Sequence, residues 1–77
     1  MKKPENQLTL KELKEELELL RRYKNNVTVC KHSKLYLKRL KDEVLCKKFD
    51  KRISIETYAD LSEIEMRCAN LISKMNI

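Results

Sequence analysis

The 77-residue chain contains no glycine, and Pro4 is its only proline. Tight β-hairpin turns need residues with a positive φ, which glycine adopts most easily, so this composition is poorly suited to hairpin or sandwich folds. Helices need few such positions. A Walker-type phosphate loop, a dinucleotide-binding fingerprint, an EF-hand loop and a serine-hydrolase elbow all require glycine and are therefore excluded. The composition favours an all-α fold without any of these sites.

Long apolar segments are also missing, since the longest strictly apolar runs have three residues. We therefore expect neither a membrane-spanning helix nor the apolar core of a signal peptide. The three cysteines, Cys30, Cys46 and Cys68, are an odd number at wide spacing, unlike the disulfide framework of a small secreted protein. We expect reduced thiols that pack as small apolar side chains, and a cytoplasmic, reducing compartment.

Side chains suited to catalysis or metal binding are few. His32 is the only histidine, and on a helix its two-residue spacing from Cys30 would direct the two side chains about 200° apart. That arrangement is unsuited to a Cys–His nucleophile pair or to a shared metal ion. Many of the carboxylates lie near expected helix N-termini, where a negative charge interacts favourably with the helix dipole. We expect no enzymatic activity, no cofactor, no metal and no small-molecule substrate.

The first helix is predicted at about residues 10–24. Thr9 and Glu12 fit a capping box, in which each side chain accepts a hydrogen bond from the other residue's backbone N–H. The pair Asn25 and Asn26 is a plausible stop, because asparagine tolerates the left-handed conformation. Leucines at three-four spacing place one apolar face toward a core. They are Leu10, Leu13, Leu17 and Leu20.

Two further helices are predicted at about residues 28–51 and 57–75, the third capped by either Ser54 or Thr57. Short connections predict an up-down-up three-helix bundle and one domain over residues 1–77. The narrow apolar stripes would equally suit a bundle completed by homo-oligomerisation. The predicted core face of the second helix is Val29, Cys30, Ser33, Tyr36, Leu37, Leu40 and Val44. That of the third helix is Leu61, Ile64, Cys68, Leu71 and Met75.

Among the apolar residues outside these stripes, four are candidate partner-binding residues: Leu19, Tyr23, Leu35 and Phe49. Leu19 and Tyr23 are one turn apart on the side of the first helix opposite its leucines, and a monomer would expose them. Single exposed apolar residues are ordinary on protein surfaces. Alternatively, these four bind a second copy or another protein. That interpretation predicts a non-catalytic adaptor, inhibitor, or accessory or regulatory subunit that acts through helix-face protein–protein contacts.

Positive charge is concentrated in the middle of the chain. Residues 21–52 carry twelve basic and three acidic side chains, a balance of +9, whereas the whole chain carries +6. This run is either a solvated helix surface or, as an alternative function, a site for sequence-independent, salt-sensitive nucleic-acid binding. We do not expect membrane binding, because the apolar face of this helix is needed for the core. The predicted phosphate-contacting residues are Lys31, Lys34, Lys38, Lys41, Lys48 and Arg52.

Overall fold

The computed structural model describes residues 8–75, which form three α-helices. These are α1 (Leu10–Tyr23), α2 (Lys34–Lys48) and α3 (Ile55–Met75). No strand occurs among the described residues, so the predicted all-α three-helix bundle is confirmed. The ends of the predicted domain, residues 1–7 and 76–77, lie outside the described residues.

The N-terminal end of α1 has the predicted capping box. The Thr9 hydroxyl accepts the Glu12 N–H at 3.1 Å, and the Glu12 carboxylate accepts the Thr9 N–H at 2.8 Å. At the other end, Lys24 adopts the left-handed conformation (φ 51°, ψ 40°), and Asn25 follows with a φ of 60°. The helix therefore stops one residue earlier than predicted. In a chain without glycine, a lysine takes the position that glycine usually occupies after a helix.

Helix α2 begins six residues later than predicted. Ser33 is its N-cap, because the hydroxyl accepts the Tyr36 N–H at 3.1 Å. Before it, the Asn26 side chain accepts the Thr28 N–H at 2.9 Å, which stabilises a turn instead of a helical start. The predicted core positions Val29, Ser33 and Tyr36 are accordingly exposed. The apolar spacing of the sequence continues through residues 28–33 as it would in a helix. It therefore did not reveal this connection, which depends on hydrogen bonds from backbone N–H groups to the Asn26 and Ser33 side chains.

Helix α3 begins at Ile55, two residues before its predicted start. The Ser54 hydroxyl accepts the Thr57 N–H at 3.1 Å, so Ser54 is the N-cap, which the sequence left open between Ser54 and Thr57.

Helix α2 ends at Lys48, three residues before its predicted end. The reason is a turn after the helix, in which the Asp50 side chain accepts the Arg52 N–H at 2.9 Å.

The order of the helices is up, down, up. The Leu8 N–H donates to the Glu43 carboxylate, so the start of α1 lies beside the C-terminal half of α2. The Lys74 ammonium donates to the Asn25 carbonyl at 2.6 Å, so α1 and α3 end together. The short connection at residues 49–54 makes α2 and α3 antiparallel.

The core of the described residues is wholly apolar, with no buried polar or charged side chain among them. All three helices contribute to it, and α3 packs against both α1 and α2. The burial of these apolar side chains supplies most of the favourable free energy of folding in so short a chain. The buried side chains are Leu13, Leu17, Leu20, Tyr23, Leu37, Leu40, Val44, Leu61, Ile64, Cys68 and Leu71.

An ion-pair cluster joins α1 to α3 at the edge of this core. The Arg21 guanidinium donates two hydrogen bonds to the Glu63 carboxylate, at 2.7 and 2.8 Å, and Arg67 donates a third at 2.8 Å. These hydrogen bonds, that of Arg21 first, lower the pKa of Glu63 to about 2. Bidentate arginine–carboxylate geometry is the strongest form of such a pair, so the cluster orients α1 on α3.

Candidate interaction surface

Two large apolar side chains flank the connection between α2 and α3 and are almost fully exposed. Phe49, the C-cap of α2, is 82% exposed, and Ile55, the first residue of α3, is 89% exposed. The backbone around them is held in place, because the Phe49 N–H donates to the Cys46 carbonyl at 3.2 Å and Ser54 caps α3. We call Phe49 and Ile55 the corner. Phe49 was predicted as a partner-binding residue, whereas Ile55 was not.

Helix α2 has a second apolar side that faces away from the core. Leu35 is 59% exposed, and Cys46 and Phe49 are also exposed, with Asp42 between them. We call Leu35, Asp42, Cys46 and Phe49 the outer strip. At 100° per residue these positions lie within about 60° of one another around the helix axis. Leu35 and Phe49, which the sequence places off the core stripe of α2, are exposed, but the expectation that Cys46 is packed as a small apolar residue is wrong.

The prediction that Tyr23 is exposed beside Leu19 is also wrong. Tyr23 is only 7% exposed and belongs to the core, while Leu19 remains 37% exposed. The reason is the connection of residues 24–33, which folds back over the end of α1 and packs Val27 and Cys30 against the core. Since the sequence pattern placed most of these residues in a helix, it left nothing to cover Tyr23.

His32 forms part of a cluster that the sequence pattern did not predict. Its ring stacks on Tyr36 with centroids 4.5 Å apart and meets Tyr23 edge to face at 5.6 Å. Its Nε2 lies 2.9 Å from the Glu16 carboxylate, which also accepts the Tyr36 hydroxyl at 2.9 Å. Partial burial of the Tyr36 side chain, and then its hydrogen bond to Glu16, raise the pKa of Tyr36 to about 12. Through His32, these contacts hold the connection of residues 24–33 against α1.

The thiol of Cys30 points to the carbonyl of His32 at 3.7 Å. Cys68 lies in the core, where burial raises the pKa of its thiol to about 12 and so disfavours the reactive thiolate. All three cysteines are unpaired. Cys46, by contrast, is exposed on the outer strip.

The six predicted phosphate-contacting residues are not equivalent in the structure. Lys34, Lys38, Lys41 and Lys48 lie along one side of α2, whereas Lys31 and Arg52 lie in the connections before and after it. The prediction that all six form one continuous stripe is therefore wrong, because it assumed a second helix longer than α2.

Lys48 and Arg52 are bound to carboxylates of the same chain. The Lys48 ammonium donates to Glu65 at 2.9 Å and lies 4.9 Å from the centroid of the Tyr58 ring. Arg52 pairs with Asp50 at 3.2 Å, and this pair lowers the pKa of the Asp50 carboxyl. Positive charge that is neutralised in this way is weakened as a phosphate contact.

Among residues 8–75, no group of three or more His, Cys, Asp or Glu side chains is arranged to hold a metal ion. In the same part of the chain no helix combines the length and apolarity needed to cross a bilayer. Comparisons with protein-family models, with curated proteins and with solved structures found no match to this chain.

Proposed function

We propose that this protein is a non-catalytic helical binding protein, an adaptor, inhibitor or accessory subunit that docks on a protein partner through the corner and the outer strip. The observation that carries the proposal is the near-complete exposure of Phe49 and Ile55. Both belong to a domain whose described core is already filled by eleven apolar side chains. Covering a side chain of this size is worth about 1.5–3 kcal/mol, so a partner that buries both gains substantial free energy.

The local backbone also favours a docking role. Phe49 and Ile55 flank a short connection stabilised by the Asp50 and Ser54 side chains. A surface held in one conformation loses little entropy on binding, so most of the burial energy remains available for affinity. Exposed aromatic residues on such rigid elements are typical centres of protein interfaces.

Photo-crosslinking at position 49 tests the proposal. Phe49→benzoylphenylalanine is introduced into the full chain in its native cells, and the matched control is Met66→benzoylphenylalanine. Met66 is 57% exposed on α3 and lies about 16 Å along that helix from Ile55. We expect a discrete protein adduct from position 49 that is absent from position 66 and that Ile55→Ser reduces severalfold. Equal adducts from both positions, or none from position 49, would contradict the proposal.

The alternative function is sequence-independent nucleic-acid binding by the basic side of α2. It is favoured by the exposed Lys38 on the side that also carries Lys34 and Lys41. The test is fluorescence anisotropy with duplex DNA, for Lys38→Glu against Lys14→Glu on α1. Affinity that falls steeply with salt and is lost only in Lys38→Glu would establish this function. Equal loss in both variants would indicate a general charge effect.

The proposal also includes a cytoplasmic, reducing compartment. Its support is that Cys30, Cys46 and Cys68 are all unpaired, which is the usual state of thiols in such a compartment. Alkylation of intact cells before lysis tests it, since all three thiols should then be recovered in the reduced form.

A further inference from the structure

The outer strip has the spacing of a helix-pairing seam. Leu35, Asp42, Cys46 and Phe49 are separated by seven, four and three residues, which keeps them on one side of α2. The strip is about 21 Å long, or about four helical turns. All four side chains are exposed, and the core side of the same helix is already packed against α3. A seam of this length matches one helix of similar length laid along α2.

The charges around the strip are mostly positive. Lys38 and Arg39 border it on either side and are exposed. Residues 34–52 carry eight basic and three acidic side chains, a balance of +5. Of the acidic residues, Glu43 accepts the Leu8 N–H and Asp50 pairs with Arg52. The third, Asp42, is exposed within the strip itself. The strip is therefore an apolar row, interrupted by one carboxylate, within a mostly positive surface.

We infer that the outer strip binds an acidic amphipathic helix of another protein, an inference that rests on the proposed function and specifies its partner. Leucine-like side chains of that helix would cover Leu35, Cys46 and Phe49. Its flanking glutamates or aspartates would face Lys38 and Arg39. Apolar contacts then supply the affinity, and the charges supply orientation and speed of association.

Charge and apolarity argue against the other occupants of this surface. A second copy of the chain would bring Lys38 and Arg39 toward another positive surface, and like charges across an interface oppose association. The phosphates of a nucleic acid would pair with the lysines, but Leu35 and Phe49 would remain exposed to water or would contact charged phosphates. An acidic helix with an apolar face complements both features together.

A designed peptide tests the partner chemistry directly. The probe is a labelled 21-residue peptide with leucines at positions 1, 5, 8, 12 and 15 and mostly glutamates elsewhere. The control peptide has the same composition with the leucines distributed around the helix. Binding to the full-length protein is followed by fluorescence anisotropy. We expect the patterned peptide to bind at least about tenfold more tightly than the control and to weaken severalfold when ionic strength is raised to about 0.3 M.

Two variants locate the binding surface. We expect Phe49→Ser to weaken the patterned peptide by about tenfold, because Phe49 provides the largest apolar contact. Met66→Ser, at a position that is 57% exposed on α3, should leave the affinity unchanged. When the patterned peptide is added to isotope-labelled protein, the amide chemical shifts should change for residues between Leu35 and Phe49.

Other results overturn the inference. Equal affinity for both peptides would mean that charge alone attracts them. Binding to duplex DNA but not to the patterned peptide would identify a nucleic-acid surface, and peptide-insensitive dimers in light scattering would identify a second copy as the occupant. If crosslinking at position 49 captures a partner without an acidic amphipathic helix, the proposed function stands and this inference fails. If position 49 captures nothing, both fail.

Discussion

The Glu16 carboxylate joins two elements by accepting the Tyr36 hydroxyl at 2.9 Å while its other oxygen lies 2.9 Å from Nε2 of His32. Glu16 lies in the middle of α1, and Tyr36 lies in the first turn of α2. These two residues span the connection of residues 24–33, which carries His32. One carboxylate therefore helps to position that connection over Tyr23 at the end of α1.

We predict that Glu16→Gln lowers the pKa of Tyr36 from about 12 without restoring its ordinary value of about 10. Partial burial of Tyr36 is the largest cause of the raised pKa and remains in the variant, whereas the negative charge of Glu16 is lost. Because this pKa is raised, its contribution to stability is full below pH 10 and is lost as pH rises through about 12. Tyrosinate absorbance measures the titration, and Tyr36→Phe identifies the transition. An unchanged pKa in Glu16→Gln would contradict the prediction.

The Arg21–Glu63 pair predicts a defined acid sensitivity. The pKa of Glu63 is lowered to about 2, so its stabilising effect is present above the ordinary pKa of about 4.5 and is lost as pH falls through about 2. We expect Glu63→Gln to reduce the free energy of unfolding at neutral pH by about 1 kcal/mol. It should also flatten the pH dependence below pH 4.5. Urea unfolding at several pH values measures both effects, and Glu15→Gln on the exposed side of α1 should change neither.

The burial of Tyr23 and the exposure of Leu19 predict opposite outcomes at two positions one turn apart. We expect Tyr23→Ala to lower the free energy of unfolding by about 3 kcal/mol, because it removes a ring from the core and a partner of His32. Leu19→Ala should cost less than about 1 kcal/mol. Thermal or urea unfolding measures the difference. A similar cost at both positions would contradict the position of the connection over α1.

The left-handed conformation of Lys24 predicts a stabilising glycine. A side chain with a Cβ costs about 1 kcal/mol or more in this conformation, and glycine avoids that cost although it loses more backbone entropy on folding. We expect Lys24→Gly to raise the free energy of unfolding by about 0.5 kcal/mol. The control, Lys14→Gly in the middle of α1, should lower it by about 1 kcal/mol. Destabilisation by both glycines would contradict the left-handed helix end.

Much of the bundle was predictable from local patterns. The Thr9–Glu12 capping box and the burial of Leu13, Leu17 and Leu20 appear in the structure as the sequence predicts, since both depend only on residues three or four positions apart. The same holds for Leu61, Ile64 and Cys68 in α3, all of which are buried. Leu10, predicted on the core face of α1, is 43% exposed, because it lies in the first turn of that helix, at the end of the bundle. The position of Leu35 and Phe49 off the core stripe of α2 was also predictable, but a second apolar side of a helix can pack against another element, and only the structure shows that both are exposed.

The connections were harder to predict. The Asn26 and Ser33 side chains bind nearby N–H groups and delay α2 until Lys34. These residues are compatible with either a turn or a helix, and local spacing does not decide between them. The ion pair of Lys48 with Glu65 also escapes prediction, because its partners are distant in the chain and meet only when α2 packs on α3.

The sequence by itself determined an all-α fold, its three helices and most of its core, because helix caps and apolar periodicity are local properties. The tertiary structure decided which surfaces remain available. It covered Tyr23 with a connection and paired Lys48 and Arg52 with carboxylates, while it left Phe49 and Ile55 exposed at the corner. Those outcomes depend on contacts between distant residues, whose geometry exists only after the helices have packed.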